Sequence, residues 1–336
     1  MRLPFSRARR LLPVAVLGAA VALSGCSTSG TEDDNAAPGT AASGASQFPA
    51  TVTTAFGDVT ISKQPERVVA LGWSDADVAL SLGVQPVGAA DWLAFGGDGQ
   101  GPWNTGKYTT APEILGTLEL DMEKVAALKP DLILDTRSSG DKARHDQLAK
   151  LGVPVIDPPK GGEMYLTSWE QQLDMIGTAL GKKTEADKLK SDLEAKFTAA
   201  AAANPGFKDK TVAAVARTGD GWGAYVTGDG RVDFLTKLGF KNAPAIEALK
   251  KDSFYIPLSS EQLDLADADV TVVFLIQATL DQVKGDKLFQ AVPSVKAGHV
   301  AYMDNKDISN AFSSSSVAGL SYAVDKVTPL LATAAG

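Results

Sequence analysis

Between about residues 165 and 203 the sequence carries no strand signal, and Trp169, Leu173, Ile176, Leu180, Leu189, Leu193 and Phe197 recur at helical spacing. Either side of this segment the pattern changes. Upstream, strand-like runs at 67–71, 86–89, 131–134 and 153–156 alternate with helical patterns at 75–82, 119–128 and 145–151. Downstream, residues 211–215 open a second series of the same kind. Strands that are continuously apolar are buried on both faces, which is the condition of parallel sheets covered by helices. The expected fold class is therefore α/β: two α/β lobes with mainly parallel sheets, joined by a long interlobe helix, with a ligand cleft between the lobes. Gly181 falls near the middle of the helical segment, so the connector is either two helices or one with a kink.

The N-terminus reads as an address. Arg2, Arg7, Arg9 and Arg10 precede an apolar run at 11–23, which is shorter than the roughly 20 residues a spanning helix requires. Leu23-Ser24-Gly25-Cys26 follows, and the whole resembles a secretory signal ending in a bacterial lipobox, whose cysteine is lipidated and heads the mature chain. Arg9-Arg10 leaves the choice between the general and the twin-arginine export route open. Cys26 is the only cysteine, so it is expected to be an anchor and not half of a disulfide. The Ser, Thr, Gly, Ala and Pro bias that follows marks a flexible tether. The expected divisions are 1–25 signal peptide, 26–57 tether, 58–163 N-terminal lobe, 164–205 interlobe helix and 206–336 C-terminal lobe.

The two series echo each other. Leu120-Asp121-Met122-Glu123 leads to a strand opened by Asp131, and Leu258-Ser259-Ser260-Glu261 leads to one opened by Asp269; in both the glutamate stands eight positions before the aspartate. An acid near a helix start is favoured by the helix dipole whatever its further role.

The blocks Pro65-Glu66-Arg67-Val68-Val69-Ala70-Leu71, Pro86-Val87-Gly88, Leu128-Lys129-Pro130-Asp131-Leu132-Ile133-Leu134 and the late Val295-Lys296-Ala297-Gly298-His299-Val300 resemble the substrate-binding lipoproteins of ABC importers for iron-siderophores, haem and cobalamin. The likeness runs from about residue 60 to 331. It implies a rigid interlobe helix, limited closure on the ligand, and one surface glutamate per lobe, Glu123 and Glu261, docking on a two-fold permease with its ATPase. It implies delivery of a ferric siderophore from the outer face of the membrane by a lipid-anchored monomer. Haem or cobalamin transport, and ligand sensing without transport, remain alternatives.

Ligands of two-lobed α/β proteins sit beyond the carboxyl ends of the strands. The residues expected there are Trp73, Trp92 and Arg137 from the first lobe, and Arg217, Trp222 and Tyr225 from the second. Five aromatics within residues 73–108, set among glycines and not at helical period, point to the same place. Tyr255 and Phe312 are weaker pocket candidates, and Arg231 is read as the start of a helix. Many siderophore binders of the family this chain resembles place a basic residue near this late serine run; residues 310–316 contain none, and that departure disfavours strongly anionic catecholate complexes and favours hydroxamate or mixed siderophores.

Charge narrows the classes. The chain carries 32 basic and 40 acidic groups, a net of −8, and removal of the four signal arginines brings it to −12. A nucleic-acid binder relying on a broadly basic surface is excluded. The only histidines, His145 and His299, share no spacing that suggests a metal site, and Gly72-Trp73-Ser74-Asp75-Ala76 lacks the second glycine of a nucleophile elbow. No enzyme activity and no resident cofactor are expected; iron would arrive already chelated.

Overall fold

In the computed structural model, residues 47–336 are described, apart from Asp252. The signal, Cys26 and most of the tether lie outside them. The strands, in chain order, are β1 (Ala50–Thr54), β2 (Gly57–Ile61), β3 (Val68–Ala70), β4 (Gly88–Ala90), β5 (Glu113–Leu115), β6 (Leu132–Leu134), β7 (Val155–Ile156), β8 (Thr211–Thr218), β9 (Trp222–Tyr225), β10 (Lys241–Asn242), β11 (Tyr255–Leu258), β12 (Val270–Ile276) and β13 (Val300–Met303). The first lobe holds a five-stranded parallel sheet in the order β5-β4-β3-β6-β7. The second holds a six-stranded sheet in the order β11-β9-β8-β12-β13, with β10 beside the start of β8. Here β8, β10, β12 and β13 pair in parallel, while β9 pairs antiparallel with both β8 and β11.

The two-residue period of the strands sorts their side chains. Val68, Ala70, Leu132 and Leu134 of the first sheet face the same core as Val212, Ala214, Val270 and Val272 of the second. Val69, Leu71 and Ile133 face the opposite way, onto the outer helices of the first lobe, and Ala213, Val215 and Val273 onto those of the second. The common core is filled by Leu173 and Ile176 of the connector and by Leu320, Val324 and Val327 of the C-terminal helix Val317–Ala335. Lys196 of the connector ties that helix down, donating to the Ser321 carbonyl at 2.6 Å and to Asp325 at 2.7 Å.

Each sheet is started by the same device. Asp131, just before β6, accepts from the Glu66 and Arg67 amides at 2.9 and 2.8 Å, and so fixes the approach to β3. Asp269, just before β12, accepts from the Thr211 amide at 2.7 Å and so fixes the start of β8. The register Val68 to Leu132 and Val212 to Val270 follows directly.

The connector consists of two helices, Trp169–Ala179 and Lys183–Ala203. The break falls at Gly181, whose φ of +63° suits glycine and where a Cβ would run into the ring of Phe48. Ser168 and Gln171 form a capping box at the start of the first helix. The tether expected over 26–57 ends earlier than residue 57, because β1 and β2 form an antiparallel hairpin. Its buried Val52 and Thr54 alternate with exposed Thr51 and Thr53, and Val52 and Ile61 join the common core.

Phe312 belongs to the core and not to the pocket: it is fully buried, with ring centroids 4.4 Å from Phe234 and 5.0 Å from Phe274. Phe312→Ala is expected to cost about 3–5 kcal/mol of stability, read as a lowered urea midpoint at unchanged slope.

Candidate ligand-binding cleft

The first wall comes from loops at the carboxyl ends of β3, β4 and β6. Trp73 follows β3 by three residues, Trp92 follows β4 by two, and Tyr165 arrives on the loop before the connector. Their rings form one stack: Trp73 lies 4.4 Å from Trp92 and 4.3 Å from Tyr165. Arg137, three residues beyond β6, is buried beside this stack, its guanidinium 5.9 Å from the Trp73 ring and 5.7 Å from that of Trp92. It donates through Nε to the Tyr165 carbonyl at 3.0 Å and through Nη1 to the Ser314 carbonyl at 2.8 Å. Its Nη2 makes no hydrogen bond among the described residues.

The facing wall belongs to the second lobe. Tyr225 ends β9, Tyr255 begins β11 and Phe274 lies on β12. Arg231 lies with its guanidinium 4.3 Å from the Tyr225 ring and 5.6 Å from that of Phe274, and it pairs with Asp229 at 3.1 Å. Asp229 is also the N-cap of the helix Gly230–Lys237, accepting from the Arg231 amide at 2.9 Å. Between the walls lies a cavity of about 790 Å³, a size suited to a compact organic ligand. Its charged lining is Arg137, Arg231 and Lys306 against Asp229 and Asp304, a local excess of one positive charge in an acidic chain. Trp73 Nε1 and Arg231 Nε, both on lining side chains, are buried donors with no partner among the described residues.

Burial pulls the Arg137 guanidinium down to about 10, and the nearby Arg231 adds to the effect, so Arg137 still carries its charge at neutral pH. Arg231 is opposed by the same burial, but Tyr225 and Asp229 hold it above its ordinary value. Behind the first wall, Asp75 is fully buried. Its carboxylate accepts from the Gly72 and Thr136 amides at 3.0 Å each, from the Thr136 hydroxyl, and from Gln172 Nε2 at 2.6 Å. Burial raises its pKa to about 6, against those hydrogen bonds. Among the described residues no group of three His, Cys, Asp or Glu side chains is placed to hold a metal ion.

Of the residues expected in the cleft, Trp73, Trp92, Arg137 and Tyr225 line the cavity. Arg217 and Trp222 do not. Arg217 turns back on its own loop, donating through Nη1 to the carbonyls of Thr218 and Gly221. Trp222 opens β9, and the two-residue period puts it on the face opposite Tyr225, stacked 4.3 Å from Phe289 with Nε1 donating to Asp286 at 2.9 Å. Glycines at 219, 221, 223, 228 and 230 hide that strand in the sequence. Tyr255 lines the cavity as well. Arg231 occupies the helix start expected of it, and its side chain also lines the cleft. The available signal was a cation in the first turn, where the helix dipole disfavours one. Lys306, at the head of the helix Lys306–Ser314, supplies the positive charge that the serine run itself lacks; it donates to the Ala94 carbonyl at 2.9 Å. Nothing in the local sequence singles out Tyr165.

Glu123 and Glu261 are both exposed and both occupy the second position of a helix, Met122–Ala127 capped by Asp121 and Ser260–Ala266 capped by Ser259. Neither forms an ion pair with a described residue.

Two α/β lobes around an aromatic, cation-bearing cavity define a bilobal small-molecule binding protein. Residues 68–306 match the family described as Periplasmic binding protein, and the chain belongs to it. It is 32% identical over 192 residues to an uncharacterized ABC transporter substrate-binding lipoprotein, YvrC, of Bacillus subtilis (strain 168). That match covers 54% of this chain and 55% of the relative, so it spans about half of that protein's length. It is 25% identical over 272 residues to the probable siderophore-binding lipoprotein YfiY of the same organism, covering 73% of this chain and 77% of the relative. Among solved structures it is similar to Streptococcus pneumoniae TIGR4 PiaA in complex with ferrichrome, with a TM-score of 0.73 at 25% identity over 85% of this chain and 98% of that one.

The Asp75 carboxyl holds its proton to about pH 6 in the fold against 3.8 when free, so between those values the folded state binds more protons than the unfolded. The stability this contributes is complete below pH 3.8 and is lost as pH rises through 6. The stability of the wild type relative to Asp75→Asn is expected to fall by about 2 kcal/mol from pH 4 to pH 7, measured by urea unfolding of both proteins across that range.

Proposed function

We propose that this protein is the lipid-anchored substrate-binding component of an ABC importer that captures a ferric siderophore in the cleft and delivers it to the membrane permease. The observation that carries this reading is the cavity itself: aromatic walls and one guanidinium from each lobe lining a space of about 790 Å³. A chelate presents oxygen-rich edges to such donors and apolar faces to such rings. A ferric trihydroxamate is neutral and a tris-catecholate complex is trianionic, and a lining with a single net positive charge favours the former or a mixed-donor chelate. The relative named as siderophore-binding and the ferrichrome complex of PiaA support the same class. The iron is cargo, the protein works as a monomer without a resident cofactor, and it catalyses no reaction. Cys26 carries the lipid that holds it at the outer face of the membrane. Glu123 and Glu261 meet cationic pockets on the two permease subunits, where charge complementarity sets encounter and register.

Two measurements test this. Titration of tryptophan fluorescence with ferric hydroxamates, a ferric tris-catecholate, haem and cobalamin should show quenching by a ferric chelate; flat responses throughout would sink the cleft assignment. Arg231→Ala should weaken that binding roughly tenfold or more, while Arg217→Ala leaves it unchanged. Joint replacement Glu123→Ala and Glu261→Ala should preserve affinity and abolish uptake by cells; intact uptake would remove the importer role.

A further inference from the structure

Asp75 does not face the cavity, yet the loops that carry the first wall converge on it. The Gly72 amide that it accepts immediately precedes Trp73. The Thr136 amide and hydroxyl immediately precede Arg137. Gln172, in the first turns of the connector, donates both to Asp75 and to the Trp73 carbonyl, at 2.6 and 2.9 Å. The two loops are also joined to each other, the Trp73 amide donating to the Arg137 carbonyl at 2.8 Å. There is no slack: a Cβ on Gly72 would run into the Asp75 carboxylate and stand 2.9 Å from the Arg137 amide nitrogen, and the intervening Ser74 is held at a φ of +64°. A non-glycine residue in that region keeps it only where its surroundings impose it.

We propose that Asp75 is a positioning residue of the cleft, its carboxylate fixing the spacing of Trp73 and Arg137 and tying both to the connector. All four groups it accepts are donors, so only an ionised carboxylate satisfies them together. On protonation one oxygen becomes a donor, which the Thr136 hydroxyl can turn to receive, or the Gln172 amide can by turning over and giving up its bond to the Trp73 carbonyl. The charged groups acting on Asp75 are Asp135 and Arg137 beyond β6 and Arg144 of the helix Lys142–Ala149; Gln172 and Thr136 are neutral. Arg144 is already spent on Asp135, at 2.7 Å. The carboxyl value of about 6 then places the loss of this order in mildly acidic solution, while global stability rises, as expected where a functional site holds a costly buried charge.

The first test needs no ligand. The protein has five tryptophans, and their indole N–H signals in a nitrogen-15 correlation spectrum can be assigned by single Trp→Phe variants. In the wild type the Trp73 and Trp92 signals should move together with a midpoint near pH 6, while Trp222, on the outer face of the second sheet, stays still. In Asp75→Asn both should sit displaced at every pH and cease to titrate, and Asp75→Glu should restore part of the titration. A Trp73 signal that does not titrate in the wild type, or an Asp75→Asn spectrum matching the wild type at pH 7.5, would overturn the proposal; should Asp75→Asn not fold, the wild-type titration and Thr136→Val decide it. A second arm rests on the siderophore reading and uses ferrichrome and a ferric tris-catecholate as probes. Lost positioning weakens both by roughly tenfold or more in Asp75→Asn. A purely electrostatic role for Asp75 would instead tighten the trianionic probe and leave ferrichrome unchanged, which counts against the proposal. If the wild type binds neither probe, the siderophore reading fails and the spectra still judge Asp75.

Discussion

Two carboxylates at the heads of two strands set the frame of this molecule. Asp131 and Asp269 each bond the residues that lead into the neighbouring strand, β3 in the first lobe, whose far end leads to Trp73, and β8 in the second, whose last residue Thr218 lines the cavity. Parallel pairing in fixed register brings the carboxyl ends of β3, β4 and β6 to one edge of the first sheet. From that edge Trp73, Trp92 and Arg137 reach a common point. The same logic in the second lobe brings the end of β8 beside that of β12, but β9 then turns back antiparallel. That reversal is why the second wall is made of Tyr225, Tyr255 and Phe274 on strands and not of loop residues alone.

The chain is acidic overall, and the cleft reverses that sign locally with few groups. A buried guanidinium is tolerated only when it is bonded or stacked. Arg137 meets the condition through two carbonyls, one of them at the carboxyl end of the helix Lys306–Ser314, where a cation is favoured by the dipole. Arg231 meets it through Asp229 and the Tyr225 ring. Neither arrangement exhausts the donors. Both side chains line the cavity, whose charged residues leave it a net charge near +1.

Much of this was legible in the sequence, for identifiable reasons. The parallel strands are short and wholly apolar, so 67–71, 131–134 and 153–156 stood out, and residues just beyond them, Trp73 and Arg137, could be placed by rule. Glu123 and Glu261 were paired by their equal distance from Asp131 and Asp269. The hairpin of β1 and β2 lay in plain period-two alternation but was absorbed into a segment judged by composition. Arg217 and Trp222 were misplaced because one residue of strand parity decides between the cleft face and the outer face, and a glycine-rich run hides where a strand begins. Tyr165 and Lys306 reach the cavity from sequence-distant segments, information that resides in the packing and not in either local sequence.

The connector sets how such a cleft can work. Its two helices do not simply span a gap: with the C-terminal helix they fill a core to which the inner faces of both sheets contribute, and the described residues form one compact unit. A wide hinge motion would have to expose that shared apolar surface, at a cost that grows with its area. Contacts across the cleft floor act in the same sense, since Ser74 and Arg137 of the first lobe both donate to the Ser314 carbonyl of the second. The geometry offered to a ligand is therefore largely set before it arrives. Affinity in a preorganised site depends on how accurately its walls are held, because little ordering remains to oppose binding. The demand for accuracy falls on groups that never touch the ligand, and in the first lobe those bonds converge on Asp75.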